Sequence, residues 1–363
     1  MRKINVLYLF VVGLFFVTSS CKKDDVFVPE DIQESKGFYI VNEGLFGQGN
    51  ASLSFYDYDS NTVLNNLFEG INQRPLGDVF QSLTFYKGKG YIVVNNSRKI
   101  EVVDSASMKS IETVSDFSSP RKIHFYKDKA YVTDLYSNKI YILDANTLAQ
   151  RGSIEVDGST EDIVELNGDI LVTVNQSFEY SEDKLQGLLV IDPNADTLKQ
   201  YVKLSEGAVD IEVDKVGNVW VHCTGHWNDP DATGKLYQIS GEDYKVLQIF
   251  DYGRLAYFSS PLKVNQTGDV LFIALPGDPS SYTEYNIHKM SIYATSLPTE
   301  VYYSGSGRYL YGYNFDEFKK ELIVLDALEG GQKGELVRVD AETKAELGTY
   351  EVGYFPSSIV FKY

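Results

Sequence analysis

The chain has 363 residues, with 33 Lys+Arg against 51 Asp+Glu and a net charge of −18. An acidic surface of that size repels nucleic acid and anionic headgroups, which excludes nucleic-acid partners. The four histidines (His124, His222, His226 and His288) share no metal-ligand spacing, and there is no Cys-x-x-Cys-His haem attachment, so neither a metal nor a cofactor is expected.

Met1-Arg2-Lys3 is a basic start followed by the apolar stretch Ile4–Val17, too short to span a bilayer. Thr18-Ser-Ser-Cys21 then resembles a bacterial lipobox, with Thr18 where Leu is most usual. Lys22-Lys23-Asp24-Asp25 resembles the acidic signal that sends Bacteroidetes lipoproteins to the outer face of the outer membrane. These resemblances imply a leader over residues 1–20, lipidation of Cys21, and a polar tether over residues 21–36. Without Arg2 and Lys3 the remaining chain carries 31 basic against 51 acidic residues, a net charge of −20. With Cys21 acylated no intramolecular disulfide is possible, and Cys223 on an apolar strand reads as a buried side chain.

From residue 37 onward one phrase recurs seven times. A β-rich run ends in a small polar residue, a variable loop follows, and a second strand usually closes on Asp. The first-strand copies are Phe38–Asn42, Tyr91–Asn95, Tyr131–Asp134, Ile170–Asn175, Val219–Thr224, Val270–Ala274 and Leu322–Asp326. The second-strand copies are Ser52–Asp57, Lys99–Asp104, Lys139–Asp144, Leu188–Asp192, Leu236–Ser240, Ile287–Ser291 and Leu336–Asp340. A repeat of roughly 40 to 50 residues marks a solenoid or propeller. No long segment of period 3.6 intervenes, so the expected fold is all-β: a seven-bladed β-propeller of four-stranded blades over residues 37–363.

Each unit also predicts a third strand (Thr147–Glu155 is one, Thr62–Phe68 another) and an inner strand such as Arg121–Tyr126. The final Pro356–Tyr363 matches the inner-strand pattern of Pro120–Tyr126 but has no unit of its own. It is expected to complete the first blade, closing the ring and removing exposed strand edges.

The two ends of the blades differ. Hairpins such as Lys87-Gly-Lys-Gly90 and Lys127-Asp-Lys129, and outer turns such as Asp144-Ala-Asn-Thr, are short and polar. The opposite face has long loops rich in rings, including Gly44–Asn50, Gln176–Gln186, Gly225–Thr233, Phe250–Ser260, Pro276–Tyr285 and Gly353-Tyr-Phe-Pro356. Rigid scaffolds display function on such loops. The rim of the channel there is expected to present Asn42, Asn95, Asp134, Arg74 and Arg121, covered by Phe46, Tyr136, Trp227, Tyr257, Tyr354 and Phe355. That set suits an organic ligand with polar and flat apolar parts. No phosphate loop and no Gly-x-Ser-x-Gly elbow is present, and Asn228–Gly234 reads as an Asx-type turn rather than a calcium loop, so no catalytic residue is expected.

Val41-Asn-Glu-Gly44, Arg74-Pro-Leu-Gly-Asp78, Ser119-Pro-Arg121, Ala130–Ser137, Trp220-Val-His-Cys223 and Asp326–Asp340 together resemble the YVTN-type seven-bladed propeller lipoproteins of Bacteroidetes. That family includes surface lipoproteins that capture cobalamin and pass it to a TonB-dependent outer-membrane transporter. The resemblance implies a non-enzymatic, surface-anchored binding protein for cobalamin or another corrinoid, facing the cell exterior. The alternatives are a structural or protein-interaction propeller in a surface complex and, behind it, a glycan-active enzyme.

Overall fold

The repeated Asp that closes each second strand has a local task. In the computed structural model, which describes residues 36–175, 185–226, 229, 231–256, 262–277 and 283–362, Asp144 Oδ1 accepts the N–H of Asn146 (2.9 Å) and of Thr147 (2.8 Å). Asp104 and Asp340 do the same for the residues two and three further on. These Asx turns reverse the chain without a long loop and leave the next strand antiparallel to the last. The strand expected from Thr147 consequently begins later, at Gln150, because Thr147 belongs to the turn.

Seven antiparallel sheets result, arranged as the blades of a β-propeller. The inner strands, Phe80–Tyr86, Pro120–Tyr126, Ser159–Leu166, Ala208–Val213, Leu262–Val264, Leu310–Asp316 and Pro356–Lys362, lie side by side around the axis. Pro356–Lys362 pairs with Gly37–Asn42 in the first sheet, in the register Phe38↔Phe361 and Ile40↔Ile359. The two ends of the ring are therefore joined by the last strand, as its orphan status in the repeat count implies.

Buried apolar side chains fall into seven clusters, one in each gap between neighbouring blades. The closing gap holds Phe38, Ile40 and Tyr56 of the first blade against Ile323, Leu325 and Val352 of the seventh, with Ile359 between them. Within the seventh blade Arg338 donates from Nε and Nη2 to the two oxygens of Glu321 (2.7 and 2.6 Å), and from there it reaches across the seam to the Tyr56 hydroxyl. A bidentate guanidinium fixes orientation as well as distance.

Two elements differ from the expectation. The third strand of the first blade stops at Leu64, and Leu67–Asn72 is a short helix where strand and loop were expected. Asn66 adopts the left-handed conformation just before it, turning Leu67 and Phe68 into the core between the first two blades. Among the described residues the sixth blade has three strands, and an isolated bridge between Ile287 and Tyr303 stands where a fourth would run. The expected leader, Cys21 and all but Lys36 of the expected tether lie outside the described residues.

Candidate functional site

Near the loop-rich face, the pairing of the inner strands slips at one level around the ring. The register shifts between Phe80 and Ser82, Pro120 and Ile123, Thr160 and Ile163, Ala208 and Asp210, and Leu310 and Gly312. In the closing strand Asn42 pairs with Pro356 but Val41 with Ser358, so Ser357 is the extra residue. A β-bulge leaves one residue unpaired and re-aims its side chain. Six blades thereby turn Gln81, Arg121, Glu161, Val209, Tyr311 and Ser357 into one cavity of about 300 Å³ at the head of the central channel.

Charge dominates its lining. Arg121 donates from Nε to Glu161 Oε2 and from Nη1 to Gln81 Oε1, both at 2.5 Å. Lys122 Nζ lies 2.7 Å from Asp162, and Lys263 Nζ lies 3.7 Å from Glu212. Glu43 closes the mouth: its backbone binds Phe355 and Phe80, and its Oε2 accepts the Tyr311 hydroxyl at 2.9 Å. Burial pushes the Glu43 carboxyl up, against the pull of Tyr311 and Arg121. Burial also pushes Asp210 up to about 6 and Glu212 to about 7, in each case opposed by Lys263. Burial raises the Tyr311 hydroxyl too, with the Glu43 charge adding to it. An aromatic wall stands over this floor: Phe355 meets Tyr311 at a centroid separation of 5.1 Å and Tyr309 at 6.3 Å.

Of the residues expected at the rim, Arg121 lines the cavity, Phe355 stands in the wall, and Tyr354 is half-buried beside it. Tyr136 is 56 % exposed, and the charges of Arg121 and Glu161 reach its hydroxyl. Phe46 is 78 % exposed on a loop that Asp78 Oδ2 holds through the Gly47 N–H (2.8 Å). Asn42, Asn95 and Asp134 do not present their polar groups at the rim. Asn42 is fully buried and donates to Ser54 Oγ (2.9 Å) while accepting the Gly353 N–H (3.0 Å). Asn95 donates to Ser119 Oγ and the Pro120 carbonyl, and Asp134 accepts four backbone N–H groups, from Ser118, Ser119, Tyr136 and Ser137. A short polar side chain at a strand end satisfies the adjacent turn before it reaches solvent. Arg74 is likewise placed elsewhere: it pairs with buried Glu101, donates to Ser110 Oγ at 3.0 Å, and lies over the Phe68 ring, on the outer part of the second blade. Trp227 and Tyr257 lie outside the described residues.

Cavity residues missed from sequence include Glu43, Glu161, Asp162, Asp210, Lys263 and Tyr311, with Glu212 behind them as a partner of Lys263. Superposing the starts of the inner strands would have exposed Glu161 and Tyr311, since Gln81, Arg121, Glu161, Val209, Tyr311 and Ser357 form one column of unlike residues. Cys223, by contrast, is the buried thiol expected, and burial pushes it up to about 12.

Seven blades about a polar channel with one elaborated mouth define the class as a seven-bladed β-propeller. The chain belongs to the family described as Domain of unknown function (DUF5074), which matches residues 36–362. No curated protein matches the sequence. Among solved structures, it is similar in fold to a quinonprotein alcohol dehydrogenase-like protein from Bacteroides thetaiotaomicron, with 17% identity, a TM-score of 0.68, and coverage of 92% of this chain and 79% of that one. A putative 6-phosphogluconolactonase from Bacteroides uniformis gives 10% identity, a TM-score of 0.59, and coverage of 90% and 100%. The dihydro-heme d1 dehydrogenase NirN in complex with DHE gives 11% identity, a TM-score of 0.58, and coverage of 89% and 75%. At such identities the likeness is one of fold, and function has to be argued from the site.

Proposed function

We propose that this propeller is a non-enzymatic binding lipoprotein that captures cobalamin or a related corrinoid at the mouth of its channel. Anchored through Cys21 on the outer face of the outer membrane, it passes the ligand to a TonB-dependent transporter. The observation that carries the reading is the ring of bulges, which directs one side chain from each of six blades to a single mouth. Bulges at equivalent points cost ladder hydrogen bonds, and their common product is a lined cavity. A corrinoid is a broad, flat ring fringed with amides. The aromatic wall of Tyr309, Tyr311 and Phe355 offers it apolar area, and the charged floor offers partners for the fringe. The resemblance of the repeat phrases to cobalamin-capturing lipoproteins supports the same ligand class.

Calorimetry with cobalamin tests it. Arg121→Ala, Trp227→Ala and Tyr257→Ala should each weaken binding at least tenfold, about 1.4 kcal/mol, because arginine and aromatic rings carry most interface energy. Lys127→Ala, on the tight-turn face, should leave it unchanged. No heat with cobalamin, or equal losses from both faces, would leave the protein-interaction reading, which the exposure of Phe46 and Tyr136 favours. For the anchor, Cys21→Ala should release the protein from membranes.

A further inference from the structure

The bases of the channel are already engaged by acids. Arg121 is held by Glu161 and Gln81, Lys122 by Asp162, and Lys263 by Glu212. What the cavity retains is capacity to accept. Glu43 receives the Tyr311 hydroxyl on Oε2, and the Ser357 hydroxyl also acts on its carboxyl. Asp210, 2 % exposed and lining the cavity, receives the Leu262 N–H at 2.9 Å on Oδ2. Behind Glu161, Asn175 is 2 % exposed, donates to Glu161 Oε1, and keeps a carbonyl oxygen without a hydrogen-bond partner. A carboxylate offers about four lone-pair sites, so most of this acceptor capacity stands open.

We infer that the channel behind the mouth admits an arm ending in N–H donors, a primary amide or an ammonium group, and rejects carboxylates and phosphates. The inference rests on the binding reading above and adds the chemistry of what enters the channel. An N–H donor meets carboxylate oxygens already held in place, so it forms charge-assisted hydrogen bonds without displacing an ion pair. An incoming anion could reach the remaining N–H groups of Arg121 and Lys122, but it would enter a lining in which four carboxylates, Glu43, Glu161, Asp162 and Asp210, outnumber the three bases Arg121, Lys122 and Lys263, and so would add a like charge to a site already acidic. The upward displacement of Glu43, Asp210 and Glu212 comes from burial, a cost that an incoming donor to Glu43 or Asp210 would offset. Applied to a corrinoid, an amide arm enters the channel and the phosphate stays outside. Hydrolysing that amide to the acid would convert an attraction into a repulsion at the same atoms.

Three small probes of nearly equal shape test this on the full-length protein: propionamide, propylammonium and propionate. Carboxyl carbons of Asp and Glu are followed by ¹³C NMR, with Glu43→Gln and Asp210→Asn assigning the two signals. Propionamide and propylammonium should shift both signals saturably, and propionate should bind at least tenfold more weakly. The double variant, checked for an unchanged melt and titrated with the same probes by calorimetry because it lacks both carboxyl signals, should lose the preference. If propionate shifts the signals as strongly as propionamide, or if neither N–H donor shifts them, the inference is overturned. Failure of cobalamin to bind while propionamide still does would remove the corrinoid and leave the donor-selective channel standing.

Discussion

Deleting Pro356–Tyr363 removes the one strand that joins the ends of the ring. That strand pairs with Gly37–Asn42 over six residue pairs, from Gly37↔Lys362 to Asn42↔Pro356. At about 1 kcal/mol net per ladder hydrogen bond, this is about 6 kcal/mol. Ile359 is buried, Val360 and Phe361 are partly so, and the Phe361 ring meets Phe38 edge-on at 5.9 Å. Full burial is worth about 1.5–3 kcal/mol for each such side chain, so these three contribute about 4 kcal/mol more. The sum, about 10 kcal/mol, equals the whole margin of about 5–15 kcal/mol by which a domain is stable. The truncated protein should therefore aggregate or melt without cooperativity when followed by circular dichroism. A milder form, Ile359→Ala, should keep the fold and cost about 2–4 kcal/mol. A truncated chain with the full-length midpoint and sharpness would refute the argument, because the first blade would then be stable with an open inner edge.

Two further outcomes are expected. Arg338→Ala should destabilise by about 3–5 kcal/mol in denaturant unfolding, because Glu321 is left charged and buried, whereas the pair Arg338→Met with Glu321→Leu should restore most of the loss. Glu212 holds its proton in the folded state up to about pH 7 but in the unfolded chain only to its ordinary value of 4.5, so the folded state binds more protons between those limits. Stability should accordingly fall as pH rises through that window, with Asp210 acting in the same direction up to about 6. Glu212→Gln should flatten the fall and raise the melting temperature at pH 8; an unchanged pH slope in the variant would count against a proton held there.

The blade count and the closing strand were legible because a propeller writes its turns into the sequence. Asp104, Asp144 and Asp340 recur where each outer turn needs an acceptor for two backbone N–H groups, and they do so whatever the blade's other contents. The same logic misled the reading of the rim. Asn42, Asn95 and Asp134 recur for a turn-capping reason too, so their regularity signalled structure rather than ligand contact. The true cavity residues are irregular by nature: Gln81, Arg121, Glu161, Val209, Tyr311 and Ser357 share a position and no chemistry. A repeat pattern identifies what is constant, and a site built from differences between repeats is invisible to it. The helix Leu67–Asn72 was hidden for another reason, since a six-residue helix is too short to display a period.

The ring of bulges separates two jobs that a regular strand would bind together. Along an uninterrupted ladder, each side chain's direction follows from its neighbour's, and a change in the lining would disturb the gap between blades. In six of the seven inner strands a supernumerary residue sits outside that alternation. It can be exchanged for another of different size or charge while the interblade clusters keep their partners. The scaffold thus works like a ring of interchangeable tumblers, in which a new ligand preference is reached by single substitutions at Gln81, Arg121, Glu161, Val209, Tyr311 or Ser357, each leaving the other blades in register.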